Sequence, residues 1–357
     1  MIRVLPRRSN DVRYFTDDRA LEIEGLRDGG PGWWMRGEGD VADPRAVASV
    51  LRTTERSTIF GYDIVVAAPR PTSILLAIDG EHGAGVVRAH RESVKAAVDY
   101  LEEHALVVRD RRGGEDRDQA GRWTGIVSFT HGVNRHGEPH LHDHVLVGAL
   151  PEGSRTVLDS RGLFAHLDAA DALYRASLRH EIAERTGWSA WRSFEGVERV
   201  VGLDEGYRAL WGGHHADRGE KLQWRRDDAI RKWSDDRVRF EAMGVIDPPA
   251  RGSTLDEHAF AGSLEGRYDV ARRHLITAWS NAARYGQHPS AVTRSIDALY
   301  PGLSGARGVR ETSISVREAR MTAQVRQRGA RPLETPDLDL WRQRSRDEPR
   351  SRSERSR

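Results

Sequence analysis

Phe129–Leu150 reads FTHGVNRHGEPHLHDHVLVGAL and holds five of the chain's 15 histidines. His140, His142 and His144 alternate with Leu141, Asp143 and Val145. A strand has period two, so these three imidazoles share one face of a sheet. His131 lies upstream of a turn-rich stretch containing Gly132, Asn134, Gly137 and Pro139. That pattern predicts a hairpin that folds His131 back beside the others, while Val145, Leu146 and Val147 carry the strand on into a core. A lone strand histidine is an ordinary polar residue; so dense a cluster points to a metal site. Neutral imidazoles on a rigid scaffold bind a divalent transition metal and leave coordination positions open. An all-nitrogen set suits zinc, manganese, iron, cobalt, nickel or copper better than calcium. Strand alternation alone admits His140, His142 and His144, or two of them with His131.

Working outward, Trp123–Phe129 is the strand entering the hairpin, and the polar Arg109–Arg122 is a loop or hairpin tip. Val86–Leu106 is the clearest helix, with Val86, His90, Val94, Ala97, Val98 and Leu101 at helical spacing. Tyr62–Ala68 (YDIVVAA) is a strand ended by Pro69 and Pro71. Ile2–Leu5 is a shorter one, stopped by Pro6, after which Ser9 or Asn10 caps a helix carrying Val12, Tyr14, Phe15 and Leu21. A glycine-rich stretch, Trp33, Trp34 and a loop through Asp43 lead to an expected helix over Ala46–Arg56. Beyond the histidines come a short strand near Thr156–Leu158 and a helix over Asp168–Arg185 ended by Gly187. A further helix over Asp227–Met243 precedes the Pro248–Pro249 pair. This divides the chain into residues 1–248, a helical extension over 249–330, and a charged tail over 331–357 whose composition predicts disorder.

Composition narrows the functional classes. A hydrophobic fraction of 38% with 31% charged residues describes a globular protein, and a formal net charge of +2 makes any nucleic-acid footprint local. The absence of cysteine excludes disulfides, thiolate nucleophiles and cysteine ligands. No signal-like apolar segment opens the chain and no apolar run spans a bilayer, so a cytoplasmic protein without membrane insertion is expected. No G-x-x-x-x-G-K-[ST] is present, which excludes a P-loop ATPase.

The spacing His131-x-x-x-Arg135-x-x-x-Pro139-x-Leu141-His142-x-His144 resembles the three-histidine motif of the conjugative relaxases of the MobF class, members of the HUH endonucleases. The resemblance extends over about residues 1–248. GYDIVVAAPRPTSILLA looks like the family's aspartate-bearing strand and places Asp63 on its active-site acid, with Pro71 as a departure. VRYFTDD resembles the catalytic-tyrosine segment: Tyr14 is kept, the adjacent tyrosine is Phe15, and the second tyrosine pair is replaced by Leu21 and Glu22. WWMRGEG resembles the tryptophan-bearing stretch that follows, and LDSRGLFAHLDAADALYRASLRHEIAERTGW the helix after the histidines. The resemblance selects His131, His142 and His144 as ligands and implies an α/β fold. In that fold an antiparallel central sheet carries the histidines on central strands, with helices on one side.

The residues suit the implied chemistry. A tyrosine attacking a phosphodiester gives a covalent phosphotyrosine that preserves the bond energy for rejoining. The phenol (free pKa about 10) must lose its proton, and the phosphoryl charge must be neutralised. Asp63 is positioned to take that proton or to fix a histidine tautomer, and orienting is the preferred role. Tyr62, its neighbour, competes as nucleophile but faces the other side of a strand. Arg8, Arg13, Arg70 and Arg135, with Trp34, suit a single strand gripped by phosphate contacts and stacking. The expectation is a relaxase that uses Mg2+ or Mn2+, with Zn2+, Ni2+, Co2+ or Cu2+ also suited to the site. It would nick single-stranded DNA at a transfer origin, alongside accessory transfer proteins and a separate helicase. Two other classes stay open: a histidine-triad-like nucleotide phosphohydrolase, whose alternating pattern Asp143 interrupts, and a non-catalytic origin-binding protein.

Overall fold

The computed structural model describes residues 1–16, 32–78, 83–112, 115–134, 136–192, 196–200, 203, 205–211, 226–241, 255–303, 312–316 and 319. Five strands form the central antiparallel sheet: β1 (Ile2–Arg7), β2 (Gly32–Arg36), β3 (Gly61–Ala67), β6 (Ile126–Val133) and β7 (Pro139–Gly148). Their spatial order is β1-β3-β7-β6-β2. The histidine strand β7 is therefore the middle one, and β6 lies beside it. Every residue of β6 is buried, and the first six positions of β7 alternate between buried and half-buried. Two further strands, β4 (Val107–Arg112) and β5 (Glu115–Ala120), make a separate hairpin in the polar stretch.

Directly paired residues of an antiparallel ladder share a face. Tyr62, Val147 and Ile126 line up on one side, as do Ile64, Val145 and Ser128. That side packs on two long helices, α4 (Gly83–His104) and α6 (Leu167–Thr186), through Val86, Val94, Val98, Leu101, Leu173 and Ile182. Gly187 closes α6 in the left-handed region at φ 75°, where a side chain would clash and glycine does not. The opposite face carries Asp63, Phe129, His131, His142, His144 and Leu146. A smaller apolar cluster covers part of it, made by Val12 and Phe15 around the four-residue α1 (Arg13–Thr16) and Val47, Val50 and Leu51 around α2 (Pro44–Ala48).

Several expectations change. The helix predicted over Ala46–Arg56 ends at Ala48. The chain then straightens across the end of β7, where Leu150 N–H donates to Arg52 O at 3.0 Å. A Cβ on Gly148 would lie 2.4 Å from the Val50 carbonyl, so glycine permits that crossing. Trp33 and Trp34, read only as a stretch before a loop, form the edge strand β2, paired with Ser128 and Val127.

The remaining helices are α3 (Arg70–Ile78), α5 (Ser160–Ala165), α7 (Glu205–Trp211), α8 (Arg226–Glu241), α9 (Glu257–Gly262), α10 (Arg272–Ala282) and α11 (Pro289–Leu299). Short strands pair as β8 (Ala190–Arg192) with β9 (Glu198–Val200) and β10 (Asp269–Ala271) with β11 (Ser313–Ser315). The extension is thus not wholly helical. It packs on α6 and joins the main core through Leu275, Ile276, Val292 and Ile296. Buried Arg179 of α6 donates to Glu198 at 2.7 Å and to the Ser280 and Ala283 carbonyls at 2.9 and 3.0 Å. The division at residue 248 and the tail over 331–357 lie outside the described residues. Among the described residues, no helix is long and apolar enough to cross a membrane.

Candidate active site

His131 faces His142 directly across the β6–β7 ladder, and Phe129 faces His144. One ligand nitrogen from each of His131, His142 and His144 lies within 4.8 Å of the others. The hairpin joining them is tied at several points. Asn134 Oδ1 accepts the His136 and Glu138 N–H groups at 2.9 and 3.0 Å, and its Nδ2 donates to Glu138 at 2.8 Å. From α3, Arg70 donates to Glu138 at 2.8 Å and to the Pro139 carbonyl at 3.1 Å, and Ser73 Oγ accepts Leu141 N–H at 3.0 Å. Trp233 of α8 donates its indole N–H to the Gly137 carbonyl at 2.9 Å. These ties hold the histidines to one geometry.

Hydrogen bonding also sets the tautomers. A carbonyl and a carboxylate only accept. His142 Nδ1–H therefore donates to the His140 carbonyl at 2.8 Å, and His144 Nδ1–H to both Asp63 oxygens at 2.9 and 3.0 Å. Both rings keep the Nε2 lone pair for the space between the histidines. Burial, then the neighbouring His131 and His140 rings, hold the His142 pKa well below its usual value, so it is the neutral ring a ligand must be. Three imidazole nitrogens, one of them on a ring backed by a carboxylate, are a donor set that fits a divalent transition metal.

Tyr14 stands above this set. Its ring is edge-on to His131 and to His144, each at 6.4 Å between centroids, and the residue is 46% exposed. Phe15, next to it, is buried: it stacks on Phe129 at 5.3 Å and lies 5.3 Å from His144. The short helix thus anchors one aromatic in the sheet and offers the next to solvent over the histidines. Tyr62 is buried on the helix-covered face, and burial raises its pKa. That places it across the sheet from the triad.

The family model for the TrwC relaxase matches residues 34–237, more than half of the sequence. The chain belongs to the TrwC relaxase family. Solved structures agree on the fold. The conjugative relaxase TrwC in complex with oriT DNA, metal-bound, superposes with a TM-score of 0.54 at 16% identity, covering 69% of this chain and 99% of that one. A metal-free complex gives 0.52 at 16% identity over 69% and 100%, and a copper-bound one 0.54 at 17% over 69% and 99%. No curated protein matches the sequence.

Within this relaxase fold the expected contacts to DNA are spread around the site. Arg8 is exposed at the end of β1. Arg13 is exposed beside Tyr14 and donates to Asp11 at 2.6 Å. Trp34, half-buried on the edge strand, donates to the Gly39 carbonyl at 2.9 Å. Arg70 braces the hairpin as described, and Arg135, with Leu21 and Glu22, lies outside the described residues. His140 flanks the triad, its ring 4.6 Å from that of His142. Burial and the charge on Arg70 push its pKa down to about 4.

Sequence reading missed two sets of contacts around the histidine strand. The hairpin brace of Arg70, Glu138, Asn134 and Trp233 joins distant segments with no shared motif. The other set lies behind β7: Asp143, read only as an interruption of a histidine pattern, turns into the opposite face, where His90 bonds it at 3.1 Å. The sequence places His90 at helical spacing on α4 but gives no sign of this partner.

Proposed function

We propose that this relaxase cuts and rejoins one strand of single-stranded DNA at a transfer origin, with Tyr14 as nucleophile beside the His131–His142–His144 set. The observation that carries the reading is the exposed Tyr14 ring held over two of those histidines. In the step, Tyr14 Oη forms a bond to phosphorus, the P–O3′ bond breaks, and the strand's 3′ oxygen leaves and takes up a proton. The 5′ phosphate stays on the tyrosine, and the reverse reaction rejoins the strand. Solvent reaches the phenol and can take its proton. Asp63, with both oxygens on His144 Nδ1–H, orients that ring rather than serving as the base. His131, His142 and His144 would hold a divalent ion, with Mg2+ or Mn2+ as the working choice, which would supply positive charge to offset the phosphate's.

Arg13, the neighbour of Tyr14, contacts the strand, as do Arg8, Trp34, Arg70 and Arg135, through phosphate contacts and stacking. Residues 1–248 carry the chemistry, and the described residues of 249–330 brace the helical layer beneath it. Accessory transfer proteins supply the remaining steps in the cytoplasm.

The test incubates the full chain with labelled single strands tiling the transfer origin of the element that encodes it, with Mn2+ or Mg2+. The readout is a denaturing protein gel. A covalent DNA–protein adduct that EDTA prevents is expected. Cleavage without an adduct would instead indicate a phosphohydrolase, and binding alone a non-catalytic origin-binding protein.

A further inference from the structure

Asp143 stands between two metal histidines in sequence and on the other face of β7 in space. Its carboxylate is fully buried. It accepts Ser128 O–H at 2.6 Å, His90 Nε2–H at 3.1 Å and, longer, the Trp33 indole N–H at 3.4 Å. His90 is also fully buried, and the Tyr174 hydroxyl lies 2.8 Å from its Nδ1. Burial and the charge on Asp143 hold the Tyr174 phenol protonated. It therefore donates to Nδ1, which leaves the His90 proton on Nε2, aimed at Asp143. Strands β2, β6 and β7 and helices α4 and α6 thus each contribute a group to one closed network. Its neighbours along this face of β7 are Leu141 and Val145, so an apolar side chain would suit the position. A buried carboxylate is costly unless every acceptor is matched, and here the donors are in place.

We infer that Asp143 is a positioning residue for the metal centre. From behind the strand it fixes the pleat that turns His142 and His144 together, and it places a second negative charge, after Asp63, close to a divalent ion held there. The inference rests on the metal-site reading above. It gives β7 two functions, ligation on one face and anchoring on the other.

The test titrates Mn2+ into the full chain by calorimetry and records metal-free melting temperatures. Asp143→Asn keeps the shape and removes the charge, and should weaken the Mn2+ Kd about tenfold, the scale at which partners behind a ligand act. Tyr174→Phe keeps the ring but frees the His90 tautomer, and should weaken it about threefold in the same direction. Glu102→Gln, at the Arg36–Glu102 pair on the far end of α4, serves as control: it should lower the melting temperature and leave Kd alone. If folded Asp143→Asn binds Mn2+ as wild type does, the inference is overturned. If Asp143→Asn does not fold, the Tyr174→Phe affinity decides: weaker binding supports it, unchanged binding overturns it. Wild type that binds no Mn2+ would remove the metal-site reading itself.

Discussion

β6 and β7 lie inside the sheet with strands on both sides, and His131 is only 3% exposed. Tyr14 rides on α1, which among the described residues holds to the sheet through Val12 and Phe15. The two halves of the site meet at 6.4 Å between rings but are built to different standards of rigidity. Ligands for a cation must stay fixed, because a coordination geometry tolerates little displacement. A nucleophile that carries a DNA strand through cutting and rejoining has to remain reachable by solvent and substrate. The sheet supplies the first property, and the exposed ring of Tyr14 the second.

The comparison predicts separable failures, and the largest comes from the rigid half. His142→Ala removes a central ligand, so Mn2+ binding should vanish in a calorimetric titration and nicking should fall by about 10²–10³. Undiminished Mn2+ affinity would show that the ion sits elsewhere. Asp63→Asn leaves the ligands in place but weakens their orientation; Kd should rise about 10–100-fold, with the adduct recovered at high Mn2+. Failure of added metal to restore it would move Asp63 from orienting residue to proton acceptor.

Phe15→Ala attacks the other half. It loosens the seat of Tyr14 and keeps all three ligands in the chain, so the adduct rate should drop about tenfold at an unchanged Mn2+ Kd. A parallel loss of metal affinity would show that the two halves are one rigid unit.

The smallest effect is on stability against pH. Burial lowers the pKa of His142 well below the usual value, and those of His140 and His166 to about 4 and about 3. The unfolded chain takes up these protons near pH 6.5 and the folded chain only at much lower pH. Metal-free protein should therefore lose stability as pH falls from 7 towards 4, by on the order of 5 °C in melting temperature. A melting temperature flat across that window would contradict the burial of these rings.

Much of the rigid half was legible in the sequence because it rests on period two. Alternation put His142 and His144 on one face and separated Asp63 from Tyr62, and the ladder bears out both. Glycine, asparagine and proline marked the hairpin. Alternation could not choose between His131 and His140 as ligand; the family resemblance did. The features that stayed hidden depend on partners far apart in the chain. Asp143 and His90 are 53 residues apart, and Trp233 reaches the hairpin from 96 residues away. The edge strand β2 was missed because two adjacent tryptophans show no alternation, and the helix after Pro44 was overextended because its stop lies in a crossing over Gly148.

The account stands most directly on where the DNA is attached. The adduct formed with Mn2+ should be digested with trypsin and nuclease, and the peptides mapped by mass spectrometry. A phosphonucleotide on Tyr14, with no adduct from Tyr14→Phe, is the predicted result. A phosphonucleotide on any other residue, or an adduct that survives Tyr14→Phe, would contradict it.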